Sequence, residues 1–512
     1  MPTNAHPPAR MLPVRIRRTQ CRLSRDARRV LAKPYLPGEE AILPGESRAH
    51  LLMSRVLAIP EKDVRSLNAE IKRRFAQRHR DLHGIWERHF DAVAHCVPAD
   101  VEVSAERRRL IGAYFTHEYS VEAAALFNPS IVPAPDQSGL PSGAMRFVMS
   151  LRAVGEGHLS SIEFRSGVLG ANGEIGIDDA GTHLITGRRT PPTHFDKAHF
   201  AAKLQELGAI NELSTGLLDR LGKKFTPEEL EASLSIRESG GAPPAIWFET
   251  SQIIRVLASS NYVTTFPADS NLAERVIFPA GPNETRGMED ARFVLFTDRD
   301  GSTKYYATYT AYDGFSILPQ LIETEDFMQF GISTLNGAAA QNKGMALFPR
   351  KVGGKYLMLS RRDRENLHLS TSDDVHHWNE VTELYRPQNP WELLHIGNCG
   401  SPIETPAGWL VLTHGVGPMR CYSIGAMLLD LEDPRHVKGH LAAPLIEPDE
   451  DEREGYVPNV VYTCGAIVHA DELIVPYGFS DSGVAIARMP LADLLEALLS
   501  RGDKSYGNTP AL

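Results

Sequence analysis

Turn signals recur at nearly regular intervals in the second half of this chain, and they constrain its fold more than any other feature. They are Asp300-Gly301, Gly353-Gly354, Pro406-Ala407-Gly408 and Asp471-Glu472, and short apolar runs adjoin each of them. Neighbouring turns are about 55 to 65 residues apart, which suits one four-stranded antiparallel unit with its connections. Helical patterns of about 10 to 15 residues do not separate these strands, so the spacing favours repeated sheets over a parallel α/β fold.

A further hairpin is predicted near residue 156, where Met145 to Leu151 and His158 to Phe164 flank Gly155-Glu156-Gly157. With it, the series comprises about five units. We therefore predict a mainly β chain in which residues 121–500 form a five-bladed β-propeller catalytic domain. Loops from every blade of such a propeller surround one central funnel, so polar residues that are distant in sequence converge there.

The remaining segments are predicted additions to this domain. They are a basic N-terminal extension (1–33), an α-helical region (34–120), a helical insertion (about 195–240) and a C-terminal tail (501–512). The extension carries nine Arg or Lys against a single Asp26, and we expect its cations on the surface. In the helical region, Val64, Leu67 and Ile71 recur with helical spacing. Thr226 followed by a proline predicts a helix start inside the insertion.

Composition excludes several classes of protein. The net charge of −10 over 512 residues argues against a general nucleic-acid binder. Five cysteines without a CxxC pair indicate neither a disulfide framework nor a zinc ribbon, and they favour the reducing cytoplasm. No apolar run in the sequence is long enough to span a membrane. We expect no metal and no organic cofactor, because His79, His83, His89 and His95 alternate with charged residues on predicted solvated helix faces.

The segment Gly287-Met288-Glu289-Asp290-Ala291-Arg292 is the best candidate for chemistry. Two adjacent carboxylates and a guanidinium open a β-type run there, so one carboxyl can act as an acid while its neighbour binds a ligand. At the floor of a funnel, burial and repulsion from Glu289 are expected to raise the pKa of Asp290. The alternative is that Glu289 and Arg292 form an ordinary surface ion pair at a strand entrance.

Other motifs stand at the ends of predicted strands, where successive blades present side chains inward. In chain order they read GMEDAR, NKGMALFP, HIGNCGSPIET, GWLVLTHGV, YSIGAMLLDLEDP, EREGYVPNVVY and YGFSDS. This ordered set, within roughly residues 245 to 490, resembles glycoside hydrolase family 130, the β-mannoside phosphorylases and β-1,2-mannosidases. The resemblance implies a five-bladed β-propeller and an inverting reaction on a β-mannosidic bond. In a phosphorylase, inorganic phosphate would be a co-substrate and mannose 1-phosphate the product.

The resemblance also implies roles for individual residues. Asp290 matches the general acid, which in that family protonates the glycosidic oxygen through a sugar hydroxyl. The expected substrate-binding residues are Glu289, Tyr309, Asp313 and Asp481. The expected phosphate-binding residues are Asn342, Lys343, Arg361, Arg362, His395, His414 and Tyr422. Gln341 stands in place of a family arginine and His395 in place of a family lysine. Lys343 and Arg362 are each one residue from a family position, so either could supply the missing charge; the alternative is that both are exposed cations at strand ends.

Two alternatives to phosphorolysis stay open from the sequence. An inverting hydrolase needs a second carboxylate about 6.5 to 9.5 Å from the acid, and Glu392, Glu404 and Glu454 are candidates. A propeller without catalytic activity would bind glycans or proteins through its funnel. Tyr309, Tyr312, Trp391 and Tyr456 are candidates for packing on a sugar ring. We expect the helical region either to cap the funnel or to form a contact between subunits of a homo-oligomer.

Overall fold

The chain adopts a mainly β fold in a computed structural model that describes residues 14–37, 41–43, 46–236 and 244–500. The helices in chain order are α1 Arg48–Leu57, α2 Glu61–Phe75, α3 Leu82–Val93, α4 Ala105–Tyr114, α5 Lys197–Glu206, α6 Glu212–Arg220, α7 Pro227–Ser235, α8 Pro244–Ser259 and α9 Leu491–Leu499. No helix within these described ranges is long and apolar enough to cross a membrane.

The first fifteen strands precede β16 in the chain. They are β1 Arg17–Ser24, β2 Val30–Pro34, β3 Ala41–Leu43, β4 Glu46–Ser47, β5 Thr116–Ser120, β6 Ala125–Pro133, β7 Met145–Val154, β8 Ser160–Leu169, β9 Ile175–Ile177, β10 Ile185–Thr186, β11 Arg188–Thr190, β12 Phe195–Asp196, β13 Lys224–Phe225, β14 Tyr262–Thr265 and β15 Arg275–Ile277. The remaining strands are β16 Gly287–Thr297, β17 Thr303–Tyr312, β18 Ile317–Thr324, β19 Gln329–Thr334, β20 Ala346–Leu347, β21 Tyr356–Ser360, β22 Leu367–Ser372, β23 Glu380–Tyr385, β24 His395–Asn398, β25 Ile403–Thr405, β26 Gly408–Val416, β27 Tyr422–Leu429, β28 Val437–His440, β29 Val461–Tyr462, β30 Ile467–His469, β31 Glu472–Phe479 and β32 Gly483–Pro490.

Most strands belong to five consecutive antiparallel groups. The groups are β6–β9, β16–β19 with β14 and β11, β20–β23, β24–β28, and β29–β32 with β1. A bridge between Gly287 and Ser160 joins the first two groups, and β15, with β10 beyond it, pairs with β8, so that one sheet contains twelve strands. The hairpins predicted from the turn signals are confirmed, since each turn lies between two strands that pair.

A buried apolar core lies between each group and the next. Phe164 of the first group packs with Phe293 of the second, and the second and third groups share the core around Phe296 and Leu347. Further cores join the third group to the fourth and the fourth to the fifth. The fifth group returns to the first, because Ile474 shares a core with Leu151. Packing between sheets therefore follows chain order and closes on itself.

The N-terminal segment is part of this assembly. Strand β1 pairs antiparallel with β32, so it extends the fifth group. The expectation that the cations of residues 1–33 lie on the surface is wrong for Arg29, which is buried. Its guanidinium pairs with Glu122 at 2.7 Å and with Glu163 at 2.7 Å, and Arg165 completes the network. Two buried carboxylates hold this arginine because an unpaired charge in the interior is costly.

The helices form two separate clusters. Helices α1–α4 lie within the predicted helical region and pack around Met53, Phe90 and Leu110. Helices α5–α8 form the insertion, which runs to Ser259 and is longer than the sequence indicated. The predicted helix start is confirmed, because Thr226 Oγ1 accepts from Glu229 N and Glu229 accepts from Thr226 N. The predicted tail 501–512 lies outside the described residues.

Candidate active site

A β-bulge near the start of β16 sets the position of the two candidate carboxylates. The pairing with β17 shifts between Glu289 and Arg292, so the strand carries an extra residue there. Asp290 occupies the left-handed region at φ 55°, a conformation that is uncommon for a residue with a Cβ atom. Gly287 precedes the bulge at φ 116°, and a Cβ there would lie 2.4 Å from Ser160 Oγ. The strand therefore departs from regular geometry where the chemistry is expected.

Both carboxylates are held by groups from other strands. Asn128 Nδ2 donates to Asp290 Oδ1 at 2.7 Å. Arg152 spans the pair, with Nη1 3.3 Å from Asp290 Oδ1 and Nη2 3.0 Å from Glu289 Oε1. Lys343 Nζ lies 2.5 Å from Glu289 Oε2. The Asp290 side chain keeps 20% of its surface exposed, so solvent or a ligand can reach it.

The charge state of Asp290 differs from the sequence expectation. Burial acts to raise its pKa, but the positive charges of Arg152 and Arg292, the hydrogen bond from Asn128 and the charge of Lys343 outweigh it. The pKa of Asp290 is therefore lowered, and the expected raised value is wrong for the ligand-free protein. The nearby cations therefore decide the direction of the shift, and the repulsion from Glu289 on which the expectation relied does not.

Asp481 is the carboxyl whose pKa is raised. Burial raises it to about 6, and repulsion from Asp290 and Glu289 opposes the attraction of Arg152 and Arg420. Asp481 stands in the turn between β31 and β32 with φ 47°. The charges of Arg152, Asp290 and Glu289 thus act on Asp481. Its contact with a sugar stays a prediction.

Arg292 connects the neighbourhood of Asp290 to the fourth and fifth groups of strands. Its Nη1 donates to the Asp290 carbonyl at 2.8 Å, and its Nε donates to the Cys399 carbonyl at 2.7 Å. Its Nη2 donates to the Tyr462 hydroxyl at 2.8 Å. The guanidinium is nearly fully buried, so these bonds fix it in place. The Tyr462 ring in turn lies 5.0 Å from the ring of His414.

A histidine cluster, formed by Arg361, His395, His414 and Tyr422, lies on the far side of Tyr462. His414 Nδ1 is 3.1 Å from the Asn398 carbonyl and donates to it, so Nε2 is free to accept from Arg361 Nη1 at 3.3 Å. The rings of His414 and Tyr422 stack at 6.3 Å with an angle of 14°. The ring of His395 lies 5.8 Å from that of His414. The structure therefore brings these four predicted residues together.

Both histidines of the cluster are uncharged at neutral pH. Burial lowers the pKa of His395 to about 4, and the charges of Arg361 and Arg420 act in the same direction. Burial lowers the pKa of His414 as well, again with Arg361 contributing. His395 Nε2 is buried with no hydrogen-bond partner among the described residues. It can therefore form a hydrogen bond with a ligand, but it does not replace the charge of a lysine.

A glycine makes the contact between Arg361 and His414 possible. A Cβ at Gly397 would lie 2.6 Å from His414 Cε1 and 3.4 Å from Arg361 Cδ. Strand β24 thus contributes the His395 side chain and, at Gly397, the space that the contact between Arg361 and His414 requires. Asn342, at φ 70°, places Nδ2 3.4 Å from the carbonyl oxygens of Arg361 and Arg362, so it adjoins the cluster.

Two predicted cations are engaged elsewhere. Lys343 pairs with Glu289, and its Nζ lies 5.6 Å from the ring centre of Tyr312. Arg362 is exposed, and its Nε donates to the Ala338 carbonyl at 3.0 Å. The expectation that these residues supply phosphate with the missing charge is not met by their contacts in the ligand-free protein. Lys343 and Arg362 each lie one residue away from a family position along the chain, and their side chains contact Glu289 and the Ala338 carbonyl instead.

Two predicted sugar-binding residues also have other roles. Tyr309 is only 2% exposed, and its hydroxyl donates to Glu284 Oε1 at 2.6 Å, so the structure corrects the prediction that it contacts substrate. Its strand β17 turns this side chain into the aromatic core of the second group. Asp313 accepts from Phe315 N at 2.8 Å and from Ser316 N at 2.6 Å, which is the bonding of a turn aspartate.

The candidate bases for hydrolysis are similarly occupied. Glu392 is fully buried, and its Oε1 accepts from Tyr385 OH, from Gln388 N and from the Asn389 backbone and side chain. Glu404 forms a two-bond ion pair with Arg350 at 2.7 Å for each bond. Glu454 is exposed. The first two carboxylates are thus structural in this fold.

The aromatic candidates divide in the same way. Trp391 is 9% exposed and stacks on His440 at 6.2 Å, so it belongs to the interior of the fourth group. Tyr456 is 50% exposed, and its hydroxyl lies 2.8 Å from His158 Nδ1. Tyr312 adjoins Lys343. Tyr456 and Tyr312 therefore remain available for a sugar ring.

Sequence reasoning missed Asn128, Arg152 and Tyr462. All three touch the carboxylates or the arginine between the two clusters. Asn128 has φ 48° and precedes a proline within β6, a combination that is unusual for a strand interior and was the one available signal. Arg152 alternates with apolar residues on β7 and gave no such signal.

One group of side chains could hold a metal ion. Ligand atoms of Asp363, His368 and Glu383 all lie within 4.8 Å of one another, among the residues that the structure describes. The Asp363 carboxylate already caps the turn at Glu365 and Asn366, at 3.0 and 2.8 Å. We therefore do not include this group in the candidate site.

Comparisons with known proteins agree on one family. Residues 264–499 match the Glyco_hydro_130 family model, described as beta-1,4-mannooligosaccharide phosphorylase. A 1,2-beta-oligomannan phosphorylase of Thermoanaerobacter sp. (strain X514) is 36% identical over 228 residues, which are 42% of this chain and 74% of that protein. A beta-1,2-mannobiose phosphorylase of Listeria innocua serovar 6a is 32% identical over 230 residues, which are 43% of this chain and 63% of that protein.

A beta-1,4-mannooligosaccharide phosphorylase of Ruminococcus albus is 30% identical over 246 residues, covering 44% of this chain and 71% of that protein. Among solved structures, the beta-1,2-mannobiose phosphorylase of Listeria innocua in complex with beta-1,2-mannobiose is 22% identical. It is matched over 74% of this chain and 93% of the other, with a TM-score of 0.43.

Proposed function

This chain belongs to glycoside hydrolase family 130, and from that premise we propose that it is an inverting phosphorylase of β-mannosides. It would cleave a β-mannosidic bond with inorganic phosphate and release mannose 1-phosphate. The observation that carries the proposal is the pairing of two clusters through Arg292 and Tyr462. One cluster contains a carboxylate pair, and the other contains a half-buried arginine with neutral histidines.

We propose that the five strand groups form a five-bladed propeller. Successive groups share buried cores in chain order, and the fifth packs on the first, as the blades of a closed ring would. Strand β1 pairs with the last strand of the fifth group and so ties the N-terminal segment to the ring. The site residues named above come from all five groups or the loops beside them, which suits a central funnel.

The histidine cluster is the proposed phosphate site. Arg361 would bind two phosphate oxygens through its planar guanidinium, which suits that geometry better than a lysine does. His414 holds this guanidinium through Nε2, so its role is to position Arg361. His395 Nε2, the Tyr422 hydroxyl and the Asn342 amide would complete the set of hydrogen-bonding groups. Phosphate is already anionic and needs no catalytic base.

The carboxylates are the proposed sugar and proton-transfer site. Asp290 would protonate the glycosidic oxygen through a sugar hydroxyl, as the family resemblance implies. Glu289 shares the Arg152 guanidinium with Asp290, and the charge of Asp481 interacts with both, so Glu289 and Asp481 would bind hydroxyls of the same mannose ring. Arg152 holds Glu289 and Asp290 at a fixed separation, so the sugar meets a preorganised pair.

The contacts of the candidate bases favour phosphorolysis over hydrolysis. An inverting hydrolase needs a carboxylate that can activate water across the sugar from the acid. Glu392 and Glu404 are committed to Tyr385 and Arg350 respectively. Glu454, the third candidate, is exposed. A half-buried arginine beside hydrogen-bonding groups suits a nucleophile that carries its own negative charge.

The test is a pair of incubations with the purified protein. With mannose 1-phosphate and mannose or β-mannobiose as acceptor, a phosphorylase releases inorganic phosphate and extends the acceptor. In phosphate-free buffer it leaves β-1,2- and β-1,4-mannobiose intact, whereas a hydrolase cleaves one of them. Release of free mannose without phosphate would overturn the proposal in favour of a mannosidase. A third outcome is that the protein is inactive in both incubations but binds glycans, and that Asp290→Asn leaves this binding intact. That outcome would indicate a binding protein.

A further inference from the structure

The proposed phosphate site contains one positive charge in the ligand-free protein. Arg361 supplies it, since His395 and His414 are neutral. Lys343 is paired with Glu289 at 2.5 Å. Inorganic phosphate carries between one and two negative charges at neutral pH, so one guanidinium leaves it undercompensated. A second cation must come from a side chain that is free to move.

Arg420 is placed to provide this cation. It ends the turn between β26 and β27, two residues before Tyr422, and its guanidinium carbon lies 5.9 Å from the ring centre of Tyr422. Its charge reaches His395 and Asp481, because it contributes to lowering the pKa of both groups. The guanidinium therefore lies beside the Tyr422 ring of the histidine cluster, and its charge also acts on Asp481.

Arg420 is also unengaged. Within the described part of the chain its guanidinium forms no hydrogen bond or ion pair with a side chain or carbonyl, and the residue is exposed. To reach a bound phosphate, Arg362 would have to break its hydrogen bond to the Ala338 carbonyl, and Lys343 would have to break its ion pair with Glu289. Recruiting Arg420 breaks no such contact, so it is the least costly of the three to move.

The backbone of the turn holds Arg420 in this position. Met419 and Arg420 both have φ 57°, in the left-handed region that residues with a Cβ atom rarely adopt. Two backbone bonds close the turn, from Cys421 N to Pro418 O at 3.2 Å and from Gly417 N to Cys421 O at 3.0 Å. Consecutive residues in this region persist where the surrounding structure enforces them, which is common at ligand sites.

We propose that Arg420 is a second phosphate-binding residue, which closes over the Tyr422 ring when inorganic phosphate occupies the histidine cluster. The inference rests on the proposed function and adds a residue outside the family positions considered above. Arg361 would hold the anion from the interior and Arg420 from the solvent side. The substrate class for this residue is inorganic phosphate and the phosphate group of a sugar 1-phosphate.

The test compares Arg420→Ala, Arg420→Lys and Arg299→Ala. Arg299 is an exposed arginine in the turn at the other end of β16, so its removal changes the net charge equally without touching the site. For phosphorolysis, Arg420→Ala is expected to raise KM for phosphate by about tenfold to a hundredfold, the loss of one charge-assisted hydrogen bond. KM for the oligosaccharide should stay within the range of the wild type. Arg420→Lys should recover part of the loss, and Arg299→Ala should behave as wild type.

A binding measurement separates this inference from the proposed function. Inorganic phosphate alone is titrated into each folded variant by calorimetry, with the thermal unfolding midpoint as a second readout. Weaker phosphate binding by Arg420→Ala supports the role. An active phosphorylase in which Arg420→Ala and Arg299→Ala have the same KM for phosphate would overturn it while leaving the proposed function intact. A wild type that neither binds phosphate nor depends on it would overturn both.

Discussion

Replacing Gly397 by alanine tests the geometry of the proposed phosphate site with one methyl group. The new Cβ would lie 2.6 Å from His414 Cε1, while an ordinary contact begins at 3.4 Å, so the ring must move by about 0.8 Å. That ring is held by the Asn398 carbonyl on one side and by Arg361 on the other. Displacing it shifts the guanidinium that would bind phosphate.

The expected loss follows from that displacement. A misplacement of about 1 Å in a positioned group can cost about a hundredfold in rate, equivalent to about 2.7 kcal/mol. We expect Gly397→Ala to lower kcat/KM for phosphate by about that factor and to change KM for the oligosaccharide much less. Overpacking of the strand should lower the free energy of unfolding by about 1 to 3 kcal/mol. The φ of Gly397 lies outside the left-handed region, so alanine fits the backbone of β24.

The assay measures initial rates of mannose 1-phosphate formation at varied phosphate, together with the thermal shift that phosphate produces. Gly176→Ala is the matched control, because a Cβ there meets only the Val168 carbonyl, at 3.9 Å. Wild-type affinity for phosphate in a folded Gly397→Ala variant would refute the assignment of this cluster.

Three further changes test other contacts. Arg152→Met should raise the pKa of Asp290, since it removes an adjacent guanidinium, and the limb of the pH–rate profile that reports Asp290 should move to higher pH. Glu392→Gln should lower the free energy of unfolding by about 1 to 3 kcal/mol in a denaturant titration, because the Glu392 carboxylate accepts a hydrogen bond from Gln388 N in a turn. The same variant should leave phosphorolysis intact. Burial and the neighbouring Glu163 raise the pKa of Glu122 above its value in the unfolded chain, so the wild type should lose stability as pH rises through the interval between the two values, and Glu122→Gln should not.

The strand groups could be predicted because their signals are local. A turn such as Gly353-Gly354 can be recognised in the sequence because glycine accepts positive φ. Both glycines have positive φ in the structure. The alternation of apolar residues then predicts the flanking strands without knowledge of their neighbours. The N-terminal strand β1 lacked such a signal, because it has no hairpin partner and pairs with a strand more than 400 residues away.

The candidate site could be predicted only in part. Asp290, Arg361 and His414 follow from motifs along the chain, but the cations around Asp290 depend on how separate sheets pack. The pKa of Asp290 is set by a competition between burial and nearby cations, of which Arg152 and Lys343 come from distant parts of the chain, so its direction does not follow from the neighbouring Glu289. The misassigned Tyr309 illustrates the same limit, because a strand end offers both a core face and a ligand face.

The ionised state of Asp290 bears on why the site would use phosphate and not water. A carboxylate that donates a proton must first acquire one, and in the ligand-free protein Arg152 and Arg292 oppose that. A phosphate anion bound beside Arg361 would add negative charge across Arg292 and Tyr462, which raises the pKa of Asp290. Occupancy of the phosphate site and protonation of the acid would thus be linked through this charge. We therefore expect Asp290→Asn to lower kcat by about 10² to 10⁴ while binding phosphate at least as tightly as the wild type, because a repelling charge is removed. Calorimetry with phosphate alone and single-turnover rates measure the two quantities separately, and a variant that lost phosphate affinity together with its rate would contradict this coupling.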